Sequence, residues 1–232
     1  MSSGKPSRVL VIAPHADDET IGMGGTIARH VAAGDQVTVA VITGHGDDAP
    51  HPLWPRSLWD RIRAEARAAM AVLGVVDLHF EEVPAALVRE QPTWKLNRTT
   101  GAIVDRVRPD VLYVPFPYDL HSDHREVFHS LSVAWRPSTE AGRGIREVHC
   151  YEVQSETHWN VPYVEPGFLP TLWVDIADTL ETKLRALACY ESQIRPAPDA
   201  RSLEAVRALA TWRGSQMSMG AAEAFVTVRT LR

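Results

Sequence analysis

The sequence VLVIAPHADDE, residues 9–19, decides the fold. Its first five residues form a continuous apolar run, which is typical of a strand buried on both faces of a parallel sheet. The run ends at Pro14, and four of the next five side chains can bind a metal ion or move a proton. Because ligands in open α/β sheets bind beyond the carboxyl ends of the strands, this junction predicts a site as well as a strand.

Further apolar runs predict more strands, with helical patterns between them. The runs cover residues 37–42, 75–80, 111–114, 148–153 and 172–176. Apolar residues recur at helical spacing over 27–31, 58–73, 103–107, 180–187 and 201–212. This alternation predicts an α/β fold with a doubly wound, mostly parallel sheet flanked by helices. Since no repeat or linker is visible, we expect one domain over 1–232, with residues 1–7 as a flexible tail.

Composition narrows the possible functions and partners. The 232 residues carry a formal net charge of −5, and no basic patch is visible, so we expect no nucleic-acid partner. No apolar run approaches membrane-spanning length, and the polar start does not resemble a secretory signal, so we expect no membrane partner. The isolated cysteines, Cys150 and Cys189, are expected to be core residues of a protein in the reducing cytoplasm.

A second polar cluster, His121-Ser122-Asp123-His124, lies a few residues after the predicted strand 111–114. The two histidines are three residues apart and would share one face of a helical turn. A lone inward-facing histidine is more often a core residue than a ligand. Two histidines and an aspartate at a strand end instead favour a site. In a doubly wound sheet this cluster and the first one can converge at one crevice.

The two clusters together suit a catalytic metal. Three protein ligands plus a water are usual for catalytic zinc, and imidazole and carboxylate groups suit that ion. One His and one Asp from the first cluster and one His from the second would supply the ligands. The remaining acids and histidine would serve proton transfer, so the constellation predicts a hydrolase. The same ligand types can hold ferrous iron, so Fe²⁺ stays an alternative to Zn²⁺.

Dinucleotide binding is the competing interpretation, because a glycine-rich turn, Gly22-Met23-Gly24-Gly25, follows the first strand. Its spacing does not fit G-x-G-x-x-G, and the acids that precede it would repel a pyrophosphate. We therefore interpret these glycines as sites of close backbone packing.

An irregular segment, residues 44–55, follows the second predicted strand and contains two glycines and three prolines. Its position after a strand predicts that it borders the site. Its aromatic and acidic residues could contact a substrate, although a surface loop with packing tryptophans is an equally good interpretation of any single residue. The candidate substrate contacts in this segment are His45, Asp47, Asp48 and Trp54.

The two motifs, residues 14–19 and 121–124, resemble the AHPDDE and HxDH signatures of the PIG-L/LmbE-like deacetylases. Residues 183–193 are similar to the family's K…Y-x-S-Q pattern, and residues 213–225 to its C-terminal RG…G…AEAF pattern. The resemblance therefore spans nearly the whole chain in the expected order.

This resemblance implies a Rossmann-like fold and the removal of an acetyl group from an N-acetylglucosamine unit. It also implies a role for each motif residue. The implied zinc ligands are His15, Asp18 and His124. The implied catalytic residues are Asp17 as general base, His121 as the residue that stabilises the oxyanion and helps the amine leave, and Asp123 as the residue that orients His121. Glu19 is left with a structural role.

The sequence departs from the family pattern at three places. Ala16 replaces the usual proline, and Asp119 stands where the mycothiol-pathway deacetylases carry a catalytic tyrosine. An arginine that contacts substrate in some relatives could correspond to Arg61 or Arg63. We therefore take Asp119 and both arginines as further candidate substrate contacts.

The leading hypothesis is a cytoplasmic zinc N-deacetylase whose partner is a small N-acetylated amino sugar or sugar conjugate. An amidase that cleaves a larger N-acyl group is a second hypothesis, and pocket size would separate the two. A non-catalytic metal-binding relative is a third, although Asp17 and His121 argue against it. A homo-oligomer is plausible for such a family.

Overall fold

The computed structural model describes residues 6–46 and 51–232. Within these residues, seven strands form one sheet in the order β3-β2-β1-β4-β5-β7-β6. The strands are β1 (Arg8–Ala13), β2 (Gln36–Gly44), β3 (Asp77–Pro84), β4 (Val111–Pro115), β5 (Glu147–Tyr151), β6 (Leu172–Asp175) and β7 (Ala222–Thr230). The helices are α1 (Asp18–Ala32), α2 (Arg56–Leu73), α3 (Thr93–Val107), α4 (Ser122–Ala134), α5 (Glu140–Gly144), α6 (Gln154–Thr157), α7 (Leu180–Ala188) and α8 (Leu203–Ser215).

The first five strands are parallel and define a doubly wound sheet. β1 pairs with both β2 and β4, while β3 and β5 extend the sheet on the two sides. The strand order therefore reverses between β1 and β4, which is the switch point where such folds bind ligands. This architecture confirms the predicted α/β, mostly parallel fold.

Strand β1 is buried on both faces, as its apolar run predicts. Val9 and Val11 belong to a core on one side of the sheet, which includes residues of α1, α2 and α7. Leu10 and Ile12 belong to a second core on the other side, with residues of α3 and α4. All four side chains have no exposed surface, so β1 anchors the first polar cluster rigidly.

Two strand boundaries differ from the predicted ones, because a main-chain N–H bonds a helix end or a side chain there instead of a neighbouring strand. Val75 does not start β3, because its N–H bonds Met70 O at the end of α2, where Gly74 takes a left-handed conformation. Val153 does not end β5, because its N–H bonds the Thr157 hydroxyl at the start of α6.

The C-terminal motif around Glu223 forms β7, a strand that the sequence patterns did not predict. It runs antiparallel to both of its neighbours, β5 and β6. The buried Glu223 carboxylate accepts hydrogen bonds from the N–H groups of Gly25 and Thr26 and pairs with Lys183. These bonds secure α1 just after its kink at Met23, so the motif connects the edge of the sheet to the helix that carries the first cluster.

Close packing explains the glycines that follow the first cluster. A Cβ atom at Gly25 would lie 2.8 Å from the Ile176 side chain, and one at Gly22 would lie 2.5 Å from the Tyr151 ring. Both positions therefore need a residue without a side chain where α1 crosses the sheet.

Neither cysteine is in a disulfide: Cys150 is buried, as predicted, while Cys189 is only partly buried. Within residues 6–46 and 51–232, no helix combines the length and apolarity that a membrane span requires.

Candidate metal centre and active site

The two polar clusters meet at the switch point of the sheet. The first lies between β1 and α1, and the second lies where α4 begins after β4. Because β1 and β4 are parallel neighbours, their carboxyl ends bring both clusters to one edge. Ligand atoms of His15, Asp18 and His124 lie within 4.8 Å of one another.

These three side chains fit a divalent metal ion. Asp18 Oδ2 lies 3.3 Å from His15 Nδ1 and 3.2 Å from His124 Nε2. Asp18 Oδ1 and His124 Nε2 are buried and have no hydrogen-bond partner among the described residues. Buried polar atoms almost always have a hydrogen-bond partner or a bound ligand, so these two unpaired atoms indicate that a ligand binds between them. Two imidazoles and a carboxylate are donors that zinc and ferrous iron accept.

A second donor set, His15, His121 and Asp123, also lies within 4.8 Å. It fits a metal less well because Asp123 Oδ2 and His121 Nδ1 already have partners, although Asp123 Oδ1 is buried without one among the described residues. Asp123 Oδ2 accepts the N–H of Ala86 at 2.6 Å and lies 3.0 Å from His15 Nε2. His121 Nδ1 accepts the N–H of Asp123 at 3.1 Å. The first set is therefore the better metal site.

Asp119, a candidate substrate contact, lies behind the metal ligands and does not line the cavity described below. Its Oδ2 lies 2.8 Å from His124 Nδ1, and its Oδ1 accepts the Thr157 hydroxyl at 2.6 Å. Asp119 has no exposed surface. The carboxylate therefore sets the ring orientation of His124 and directs Nε2 toward Asp18.

Charges around the ligands shift their proton affinities. Burial acts to lower the pKa of His15, but the Asp123 and Asp18 carboxylates outweigh it and raise that pKa to about 9. Burial also acts to lower the pKa of His124, and Asp18 and Asp119 raise it well above its usual value. Metal binding must therefore displace protons from these rings.

Asp17 faces the cavity with an almost bare carboxylate. Neither oxygen has a hydrogen-bond partner among the described residues, although Arg201 Nη1 lies 3.2 Å from Oδ2. Only 1% of the residue is exposed. Burial raises the pKa of Asp17 to about 7, against the opposing effect of the Arg201 charge. A carboxyl group in this state can take up a proton near neutral pH.

His121 is a neutral imidazole at neutral pH. Burial, reinforced by the charge of His15, lowers the pKa of His121 to about 4. Since Nδ1 accepts the main-chain N–H of Asp123, the ring proton belongs on Nε2. The carboxylate of Asp123 is 4.0 Å away from His121 Nδ1. Asp123 thus contacts His121 through its main chain, while its side chain bonds His15 and Ala86.

A cavity of about 410 Å³ opens beside the cluster. Its floor contains His15, Asp17 and His121. One wall is apolar and comes from the start of α2 and the segment before it, and another comes from the connection between α7 and α8. The wall residues include Trp54, Leu58, Trp59, Ile62, Ser192, Gln193, Arg195 and Arg201.

Of the two candidates in the irregular segment that the structure describes, Trp54 lines this cavity. Its ring stacks on His51 and meets Trp59 edge-on at a centroid distance of 6.2 Å. His45 does not line the cavity and accepts the N–H of His51 instead. Asp47 and Asp48 lie outside the described residues.

Neither candidate arginine lines the cavity. Arg61 pairs with Glu65 on its own helix, and Arg63 pairs with Glu82 on β3. Arg195 and Arg201 occupy the cavity wall instead. Sequence reasoning missed them because no local pattern links residue 201 to Asp17; the only available signal was the Y-x-S-Q pattern that opens the α7–α8 connection.

Fold and site define the class of protein first: a doubly wound α/β protein with, at its switch point, a His/Asp cluster that could hold a metal ion. The family follows from comparison of sequences. Residues 10–135 match PIG-L, described as GlcNAc-PI de-N-acetylase, and the chain belongs to this family. The family membership that the two motifs predict is therefore confirmed.

Curated relatives of the chain are deacetylases. A diacetylchitobiose deacetylase from Thermococcus kodakarensis is 29% identical over 202 residues, covering 80% of this chain and 70% of the relative. A 1D-myo-inositol 2-acetamido-2-deoxy-alpha-D-glucopyranoside deacetylase from Actinosynnema mirum is 30% identical over 246 residues, covering 84% and 83%.

Solved structures share the fold at lower sequence identity. The N,N'-diacetylchitobiose deacetylase from Pyrococcus horikoshii superposes with a TM-score of 0.72 at 24% identity, covering 96% of this chain and 84% of that one. GalB, a 4-carboxy-2-hydroxymuconate hydratase from Pseudomonas putida KT2440, reaches 0.75 at 20% identity, with 97% of both chains covered. The fold thus hosts more than one reaction, and function must be argued from the site.

Proposed function

We propose that this protein is a zinc-dependent N-deacetylase that hydrolyses the acetamide of an N-acetylated amino sugar or sugar conjugate. One observation carries the proposal: His15, which clusters with Asp18 and His124, lines the same cavity as the unbonded carboxylate of Asp17. A metal site and a proton acceptor in contact with one cavity are the two parts that amide hydrolysis by water requires. The named activities of the curated relatives support the same reaction.

His15, Asp18 and His124 would hold the metal ion. A divalent ion bound there lowers the pKa of a water molecule and polarises the amide carbonyl. The nitrogen and oxygen donors favour zinc, and ferrous iron is the alternative ion.

Asp17 acts as the general base and then as the general acid. Its carboxylate takes a proton from the water as the water oxygen bonds to the acyl carbon. It then delivers that proton to the amino-sugar nitrogen as the C–N bond breaks. Acetate and a free amine are the products. Arg201, 3.2 Å from Asp17 Oδ2, holds the carboxylate toward the cavity.

His121 stabilises the oxyanion of the tetrahedral intermediate. With Nδ1 accepting the Asp123 N–H, its Nε2–H is the donor available to the developing negative charge. Because His121 is neutral, it does not compete with Asp17 as the proton donor.

The apolar wall receives the sugar. Trp54 and Trp59 line the cavity with indole groups, and the wall formed by the α7–α8 connection carries the Gln193 amide and the Arg195 guanidinium. A pyranose has an apolar face and a rim of hydroxyl acceptors, so it suits this pair of walls.

Metal analysis and acetate release test the proposal together. Purified protein is analysed for zinc and iron, then incubated with N-acetylglucosamine, its conjugates and glucosamine that carries a longer N-acyl group, with Asp17→Asn as the control. We expect about one metal ion per chain in both proteins, acetate release by the unaltered protein, and a turnover about 10² to 10⁴ times lower in the variant. Release of a longer acyl group but not acetate would favour an amidase, and a fully active Asp17→Asn would refute the assignment of the base.

A further inference from the structure

The main chain at Asp17 adopts a conformation that L-amino acids rarely take. Its φ is 135° and its ψ is −27°, and its side chain makes no helix-capping hydrogen bond. Such a conformation is energetically unfavourable and persists only when neighbouring groups hold it. Its effect here is to separate two adjacent carboxylates. Asp17 faces the cavity, while Asp18 faces the two histidine ligands.

The Glu19 carboxylate bonds this main chain at the Asp17 N–H, while the Asp17 carbonyl accepts the N–H groups of Thr20 and Ile21 as α1 begins. Its Oε2 accepts the N–H of Asp17 at 3.2 Å. Its Oε1 accepts the hydroxyl of Thr20 at 2.7 Å and that of Tyr190 at 2.6 Å. Glu19 and Tyr190 have no exposed surface, so water does not replace these bonds.

Tyr190 brings the only long-range bond to this carboxylate among the described residues. It lies 171 positions away in sequence, just after α7, and does not line the cavity. Asp17 depends on such support because its own side chain has no hydrogen bond and only the Arg201 ion pair. The direction of the Asp17 carboxylate is therefore set largely by its main chain.

We propose that Glu19 and Tyr190 are positioning residues: they hold the Asp17 main chain in its left-handed conformation and so aim the catalytic carboxylate into the cavity. This inference rests on the proposed function, because it assumes that Asp17 moves the proton. It gives Glu19 and Tyr190, which belong to two separated sequence motifs, one shared role.

A purely structural role is the alternative, and a second tyrosine provides the control for it. Tyr151 is also fully buried, and its hydroxyl donates to Ile12 O at 2.8 Å. Replacing either tyrosine by phenylalanine removes one buried hydrogen bond without changing the ring. Each change should lower the stability by a similar amount, but only Tyr190 connects to Asp17.

The test measures kcat, KM, metal content and thermal stability for Tyr190→Phe and Tyr151→Phe, each in the unaltered protein and in Asp17→Asn. We expect all variants to keep their metal. Tyr190→Phe should lower kcat about 10- to 100-fold with KM unchanged, because small misplacements of a catalytic group cost this much. Tyr151→Phe should leave kcat unchanged. In Asp17→Asn, Tyr190→Phe should lower the residual rate no further, since the two residues act as one unit.

Equal kcat values for the two phenylalanine variants would overturn the inference. So would an equal fractional loss of kcat from Tyr190→Phe in the unaltered protein and in Asp17→Asn. Crystal structures of the variants provide a test that does not need activity. We expect the Asp17 φ to leave its positive value in Tyr190→Phe and to keep it in Tyr151→Phe. An unchanged Asp17 φ in Tyr190→Phe overturns the inference. If φ changes in this variant but the unaltered protein releases no acetate, only the proposed function is refuted.

Discussion

Asp119 Oδ2 and His124 Nδ1 lie 2.8 Å apart, with no exposed surface on either residue. The Thr157 hydroxyl binds the other oxygen of Asp119 and keeps the carboxylate in place. This contact determines which nitrogen of His124 is free for a metal ion, and it increases the basicity of the ring. Asp119 would therefore support the proposed metal centre without providing a ligand atom.

Replacing Asp119 by alanine should weaken metal binding. Loss of a carboxylate behind a histidine ligand typically lowers metal affinity 10- to 100-fold, and we expect a decrease in that range. Competition with a chelator measures the affinity directly. Asp105→Ala, at an exposed position on α3, is the control and should bind metal normally. An Asp119→Ala protein with unaltered affinity would mean that His124 is oriented by other contacts.

The parts of the site that sequence could predict are those with local signals. The apolar run of β1 and the polar residues after it occupy one short segment, as do His121 and His124. The strand order then brings both segments together, because adjacent parallel strands end at the same edge.

The remaining parts depend on long-range contacts. Arg201 reaches Asp17 only because the α7–α8 connection folds over the cavity, and its sequence contains no periodicity that indicates this path. Strand β7 was missed for a similar reason, since its pairing with β5 and β6 is antiparallel in a sheet whose pattern is parallel. Asp119 is only five residues from His124, yet sequence does not show that its carboxylate turns away from the cavity.

Replacing His121 by alanine should separate catalysis from metal binding. We expect the variant to keep its metal. In the unaltered protein His121 Nδ1 accepts the Asp123 N–H, and the favoured ligands are His15, Asp18 and His124. Turnover should fall about 10²- to 10³-fold, the usual effect of removing one oxyanion donor. Steady-state kinetics and elemental analysis measure the two quantities. His129→Ala, an exposed change on the same helix, should alter neither, and loss of metal from His121→Ala would instead assign His121 to the ligand set.

Trp59 should contribute a hydrogen bond to the substrate. Its side chain lines the cavity, and its Nε1 is buried without a hydrogen-bond partner among the described residues. Trp59→Phe keeps an aromatic ring but removes this donor, so we expect KM to rise about 3- to 10-fold, the size of one net hydrogen bond. Kinetics with the substrate identified by acetate release measure the change. Trp94→Phe, at an exposed site on α3, is the control, and an unchanged KM in Trp59→Phe would show that the substrate does not reach the indole nitrogen.

Glu152 should make a pH-dependent contribution to the stability of the fold, away from the candidate metal centre. Burial acts to raise its pKa, but hydrogen bonds with His158 and Arg213 outweigh burial and lower it below the usual value. Arg213 Nη2 lies 2.6 Å from Glu152 Oε2, and both side chains are almost completely buried. A carboxyl group with a depressed pKa in the folded state stabilises the protein above its unfolded-state pKa of about 4.5.

Glu152→Gln should therefore destabilise the protein at neutral pH and make its stability less sensitive to acid. We expect a loss of about 3–5 kcal/mol at pH 7, because the change leaves the Arg213 charge buried without its partner. The difference from the unaltered protein should shrink as pH falls below about 4.5, where the native Glu152 begins to lose its own contribution. Urea unfolding of both proteins with a chelator present, at several pH values, measures this difference. Glu181→Gln breaks the exposed pair with Arg207 and should change little, and a Glu152→Gln penalty that stays constant down to pH 3 would contradict the depressed pKa.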